Sequence, residues 1–266
     1  MVHLTASTRL VPADTGSFSK RKKRRFLIPI RFRCNDGMIL SHAHKFIFLK
    51  TRKTAGTSIE LALSGICGPQ DVITPVTAAD EHLREGRGPQ NWDIRGDWQT
   101  ELQKQINPLI GRRTRPTFYN HIPARKVRRI VGPETWNSYF RFTVERNPWD
   151  SHVSRYFWKY RDTQQPPRFE SYIRSLRGNR PISNFTIYTI GDRIAVDYIC
   201  QYDRLEADLG KVLERVGLKA PLTLPRAKGY VRTDRRHWRE FYSPETRDII
   251  AEIYAREISF FGYTFS

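Results

Sequence analysis

Residues 51–58 read Thr-Arg-Lys-Thr-Ala-Gly-Thr-Ser, a set of side chains suited to binding an oxyanion. Arg52 and Lys53 bring positive charge, and Thr54, Thr57 and Ser58 offer hydroxyls. Ala55 and Gly56 are small enough for backbone N–H groups to come close to a ligand. The flanking residues strengthen this reading. Phe46, Ile47, Phe48 and Leu49 form an apolar run, the pattern of a buried parallel strand. Ser58 opens a helical pattern with Ile59, Leu61, Ala62 and Leu63. A helix that starts straight out of the turn aims unpaired N–H groups and the positive end of its dipole at one spot, so a phosphate is expected there. The spelling is not that of a nucleoside-triphosphate loop, in which a glycine, four residues and Gly-Lys-Ser/Thr follow in order. Here Gly56 comes after Lys53, and no strand ending in a magnesium-binding aspartate is evident.

A second strand-to-helix junction lies further along. Residues 139–144, YFRFTV, alternate and are rich in aromatic and β-branched side chains. They run into ERNPWDSHVSRY, where Asn147-Pro148 ends the strand and Pro148 suits the first turn of a helix. Arg146 at this junction can grip a phosphate through two parallel hydrogen bonds, and Ser154 can add a hydroxyl from the helix. Between the two junctions, residues 117–124 (TFYNHIPA) set His121 after an aromatic run and before a proline.

The Lys-Thr-Ala-Gly-Thr-Ser turn after a strand resembles the 5′-phosphosulfate loop of sulfotransferases that use 3′-phosphoadenosine 5′-phosphosulfate (PAPS), in particular the carbohydrate and heparan sulfotransferase branch. The arginine at a strand end, the Asn-Pro and the serine eight residues after the arginine resemble that family's 3′-phosphate site. The resemblance spans roughly residues 44–264 and implies an α/β fold: a single domain with a central, mostly parallel sheet flanked by helices, the P-loop-NTPase-like sulfotransferase fold. It implies that Arg52, Lys53, Thr54, Ala55, Gly56, Thr57 and Ser58 hold the sulfonated end of PAPS, and that Arg146 and Ser154 hold the 3′-phosphate. Lys53 would stabilise the leaving group and His121 would be the base, because attack on sulfur requires a hydroxyl or amine to lose its proton near neutral pH. His42, His44 and His152 are weaker candidates. Arg226 and Lys228, in the basic stretch 224–230, correspond to a loop that closes over the nucleotide and touches the 3′-phosphate. The products are adenosine 3′,5′-bisphosphate (PAP) and a sulfated acceptor, with a glycan as the expected acceptor and no metal in the reaction.

The whole-chain numbers fit one such domain. At 266 residues and 39% hydrophobic, with 15 Phe, 12 Tyr and 6 Trp, the chain can bury one sizeable core. The expected division is a basic extension over 1–40 and the catalytic domain over 41–266. The formal charge is +19, and residues 1–60 carry 13 Lys/Arg against 3 Asp/Glu. Much of this is the run 20–25, expected as a solvated arm; further clusters are 112–115, 125–129 and 226–239. Such charge suits a polyanionic nucleotide and also keeps open a basic nucleic-acid-binding protein. A nucleotide-dependent phosphotransferase is the other alternative. Three cysteines at irregular spacing suggest neither a disulfide framework nor a zinc site. With no long apolar segment and no apolar signal core in the first residues, the expected setting is the bacterial cytoplasm rather than the Golgi lumen. Other expected elements are an edge strand at 26–32, a loop or short helices at 86–116, a short helix at 169–177, a strand at 195–201, a helix at 202–216 ended by Gly217, and a last helix at 244–258.

Overall fold

The computed structural model describes residues 37–93, 117–179, 182–219, 222–229 and 231–265. The expected edge strand at 26–32, the basic run at 20–25 and Arg112, Arg113 and Arg115 lie outside them. The main sheet has five strands in the order β3-β1-β2-β4-β7. These are β1 (Ile39–Ser41), β2 (Phe46–Leu49), β3 (Val72–Ile73), β4 (Phe140–Glu145) and β7 (Tyr198–Gln201). β1 straddles the boundary expected at residue 40. β2 pairs in parallel with β4, and β4 with β7, while β1 is antiparallel to both β2 and β3. Only β1 therefore runs against the others, and the sheet is mostly parallel, as expected. A separate hairpin joins β5 (Thr189–Ile190) to β6 (Arg193–Ile194).

Alternation along β2 explains how both faces are covered. Phe46 and Phe48 pack with Phe142 and Val144 of β4 and with Ile59 and Leu63 of α1 (Gly56–Ser64). Leu205, Leu209 and Val212 of α7 (Leu205–Arg215) join the same cluster. Ile47 and Leu49 point to the other face, against Ala124, Val127 and Trp136 of α3 (Ala124–Ser138) and Phe185, Ile187 and Tyr188 of α6 (Phe185–Tyr188). Successive strand residues face opposite sides, so one apolar run serves two helical layers. A third cluster joins Trp149 and Val153 of α4 (Pro148–Tyr160), Tyr172 and Ile173 of α5 (Phe169–Arg174), and Ile249 and Ile250 of α8 (Pro244–Ile253).

Most boundaries follow local chemistry. Pro148 is the first residue of α4, and the Asn147 side chain caps it by accepting from Trp149 N–H at 3.0 Å. Ser243 and Thr246 form a capping box at the start of α8. Gly217, at φ +79°, follows α7 as expected. The last helix, expected to run unbroken to 258, is instead two: α8 and α9 (Ala255–Phe261) meet at Tyr254, φ −112° and ψ 25°. The Tyr254 hydroxyl is bonded to His152 at 2.9 Å, which anchors the break against α4. Helix α3, which the sequence pattern did not reveal, is bent where Gly132 takes φ +80° before Pro133. Cys67 and Cys200 are free, buried thiols, and burial pushes both up to about 12. No helix among the described residues is long and apolar enough to cross a membrane.

Candidate active site

The strand order creates the site. After β2 the chain passes through α1 to β3 on one side of the sheet; after β4 it passes through α4 towards β7 on the other. Neighbouring parallel strands whose connections diverge in this way leave a crevice at their C-terminal ends, the usual ligand position in open α/β sheets. Both junctions singled out in the sequence lie there. They are also physically joined: Arg146 Nη1 donates to the Lys53 carbonyl at 2.9 Å.

The first junction is a turn with two left-handed residues, Lys53 (φ +63°) and Ala55 (φ +57°). Ala55 is the N-cap of α1 and no side chain caps the helix, so its first N–H groups face the turn, in the manner of an anion nest. Gly56 has a packing reason to lack a side chain. A Cβ there would sit 2.6 Å from Cγ of Lys50, whose stem runs beneath the turn. Lys50 is 3% exposed and its ammonium bonds Glu60 at 2.8 Å and Thr57 Oγ1 at 3.2 Å. Thr54 is fully buried, with its hydroxyl bonded to Thr51 inside the turn, and the Thr51 hydroxyl ties to the Val144 carbonyl of β4. Ser58 lies in the first turn of α1 and is nearly buried.

At the second junction the Arg146 guanidinium grips both oxygens of Asp150, at 2.7 and 2.9 Å, and lies 3.9 Å from the Tyr202 ring centroid. Arg146 thus braces the first turn through Lys53 while a carboxylate offsets its charge. Ser154 follows on α4, and Trp158 lies one turn further along the same helix face. The Trp158 indole gathers cations: Lys53 Nζ at 4.8 Å, Lys228 Nζ at 5.1 Å and the Arg161 guanidinium at 4.1 Å. Lys228 also donates to Thr57 Oγ1 at 3.0 Å and lies 3.8 Å from Asp80 of the short helix α2 (Ala78–Glu81). The late basic loop therefore reaches the first turn at Thr57. Arg226 is exposed, and its carbonyl closes a turn with Gly229 N–H at 3.4 Å.

His121 is half-buried at φ +52°, with Nδ1 3.0 Å from the Lys50 carbonyl at the end of β2. A carbonyl only accepts, so Nδ1 carries the proton and Nε2 is the basic nitrogen. The other histidines are differently placed. His42 bonds Tyr139 and His44 bonds the Ile66 carbonyl, both in the turn before β2, at the opposite end of that strand from the 51–58 turn. His152 is buried between the hydroxyls of Tyr172 and Tyr254, 2.9 Å from each. Burial, with the Arg155 charge adding to it, holds His152 well below the usual imidazole range. Burial and Arg155 likewise lower Arg52.

Sequence reasoning missed Lys50, Asp150, Trp158 and Asn184. Lys50 and Trp158 carried a signal, the first as the last residue before the turn and the second as the residue four after Ser154. Asn184 carried none. Among the described residues no group of three or more His, Cys, Asp and Glu is placed to hold a metal ion.

An uncharacterized protein of Archaeoglobus fulgidus is 35% identical over 105 residues, which are 38% of this chain and 87% of that relative. A family model described as the sulfotransferase family matches residues 36–264, a span that takes in both junctions, His121 and the late basic loop. The chain belongs to the sulfotransferase family.

Proposed function

We propose that this protein moves a sulfuryl group from PAPS to a hydroxyl or amine of an acceptor, and that the acceptor is a carbohydrate or glycoconjugate. The observation that carries the reading is the joining of the two strand ends. Arg146 bonds the Lys53 carbonyl, and Lys53 stands over an indole one turn beyond Ser154. Two anion-suited elements converging on one crevice fit a ligand with phosphate groups at both ends. The uncapped helix start and the left-handed turn fit the same ligand by offering N–H donors to oxyanions. Its acceptor class rests on the likeness of the turn to the carbohydrate branch.

PAPS, when bound, supplies an activated sulfuryl group on a phosphate leaving group. The residues of the chain divide the remaining work. The N–H groups of the 53–58 turn, with Thr57 and Ser58, receive the 5′ end, and Arg146 with Ser154 receives the 3′-phosphate. The Lys53 ammonium is positioned for the negative charge that grows on the leaving oxygen, which is where fixed cations help most. Lys228 adds a second cation against Thr57. His121 takes the acceptor's proton at Nε2, while its Nδ1–H bond to the Lys50 carbonyl keeps the ring oriented.

The test is transfer of label from PAPS to a panel of saccharides. Lys53→Ala and His121→Ala should each lower kcat by about 10²-fold or more. Full activity in either variant removes that residue from the chemistry, and transfer from ATP instead of PAPS would favour phosphoryl transfer.

A further inference from the structure

Asn184 is 5% exposed and lies 132 positions from Arg52, yet its carboxamide bonds both the N–H and the carbonyl of Arg52. Oδ1 accepts from Arg52 N–H at 2.9 Å, and Nδ2 donates to the Arg52 carbonyl at 3.1 Å. Nδ2 also donates to Glu145 Oε1 at 3.2 Å. Only one orientation of the amide works, because the opposite one would set N–H against N–H and oxygen against two acceptors. Glu145 is nearly buried and takes two further donors, Arg146 N–H at 3.0 Å and the Tyr188 hydroxyl at 2.7 Å. One carboxylate thus holds the start of the second junction directly and the first junction through Asn184.

The residue after Arg52 is where such a clamp matters. Lys53 and Ala55 are L-residues in left-handed backbone, a conformation that a Cβ atom disfavours. Conformations of this kind persist only where their surroundings determine them. The turn is fixed from outside its own segment by Asn184 on Arg52 and by Arg146 on the Lys53 carbonyl. Arg146 was expected from its motif. Asn184 belongs to no motif, and its carboxamide bonds Arg52 and Glu145.

We propose that Asn184 is a positioning residue of the donor site: its carboxamide clamps the Arg52 peptide to the Glu145 carboxylate and so sets the left-handed turn that presents Lys53 and the start of α1. This rests on the PAPS reading above. Losing the clamp should loosen residues 51–56, weaken donor binding and leave the fold in place.

The experiment compares wild type, Asn184→Ala and Asn184→Ser with Val212→Ala, a core truncation that removes no bond to the turn. Two readouts are used: amide hydrogen exchange over 51–56 without ligand, and the Kd of PAP by calorimetry. In the Asn184 variants exchange at Arg52 and its neighbours should accelerate at least tenfold and the PAP Kd should rise at least tenfold. Val212→Ala should lower Tm without either change. If the Asn184 variants do not fold, wild-type exchange decides: PAP should protect 51–56 and 182–186 together, and protection of 51–56 alone overturns the clamp. Wild type that binds PAP alongside an Asn184→Ala that binds it equally well overturns the role of Asn184 alone. Wild type that does not bind PAP sinks the donor reading, and this assignment with it.

Discussion

Glycine-to-alanine changes at two helical positions should act with opposite sign. In a helix, alanine is favoured over glycine by about 1 kcal/mol. Gly210 lies inside α7 with nothing within 4 Å of an added Cβ, so Gly210→Ala should stabilise the protein by about 0.5–1 kcal/mol. Gly56 opens α1, and the same methyl group would meet Lys50 Cγ at 2.6 Å, Cε at 2.9 Å and Cδ at 3.2 Å. Carbon atoms pack at about 3.5–4.0 Å, so something must move by about 1 Å. Lys50 cannot swing aside cheaply, because its ammonium is tied to Glu60 and Thr57 and its stem is buried. Overpacking of this kind costs about 1–3 kcal/mol, more than the helix preference returns. Gly56→Ala should therefore lose about 1–2 kcal/mol in urea unfolding and weaken PAP binding at least tenfold, since the methyl group displaces the start of α1. Gly210→Ala should bind PAP as wild type does. A Gly56→Ala protein as stable as wild type would refute the account of why the turn needs glycine.

Three further outcomes follow from the geometry. His152 stays neutral in the fold, whereas an unfolded imidazole takes up a proton below about pH 6.5; stability should fall by up to about 1.4 kcal/mol per unit as pH drops below that value, and denaturant titrations of His152→Gln should lose this slope. Asp71 accepts from Gly68 N–H, Ser41 hydroxyl, His42 N–H and Ala43 N–H, and although burial raises its pKa these bonds hold it below the usual carboxylate range. Its contribution is present above about pH 4 and lost as pH falls through the lower folded value, and Asp71→Asn, which sets an amide against donors, should cost about 2–3 kcal/mol at pH 7 in thermal unfolding. Arg146→Lys keeps the charge but cannot span both Asp150 oxygens and the Lys53 carbonyl; a loss of about 1.5–3 kcal/mol in urea unfolding and weaker PAP binding are expected, and unchanged values would rule out the brace.

The half of the fold that carries the two strand-to-helix junctions was legible because it is built from local signals. The apolar run of β2, the small-residue turn, the alternation of β4 and Pro148 at the head of α4 are each written within a few residues. β2 fell on 46–49 as expected, β4 shifted by one residue, and α1 began two residues early, since Gly56 and Thr57 belong to its first turn. The strand expected from 195 proved shorter, because Asp197 caps Arg141 just before β7 begins. What stayed hidden depends on contacts across the chain. The antiparallel strand β1 is three residues long and crosses the expected boundary between the basic extension and the catalytic domain, where no strand was expected. Asn184 gains its meaning from two segments far away in sequence. The dual duty of Arg146 could not be read from its motif either, because the partner carbonyl lies 93 positions back.

The most direct test of the donor site is a crystal structure of the protein with PAP. Density should run from the 53–58 turn, where the 5′-phosphate meets the start of α1, to Arg146 and Ser154 at the 3′-phosphate, beside Trp158. Nucleotide density elsewhere, or a nucleotide reversed with its 3′-phosphate on the Lys53 turn, would contradict the account.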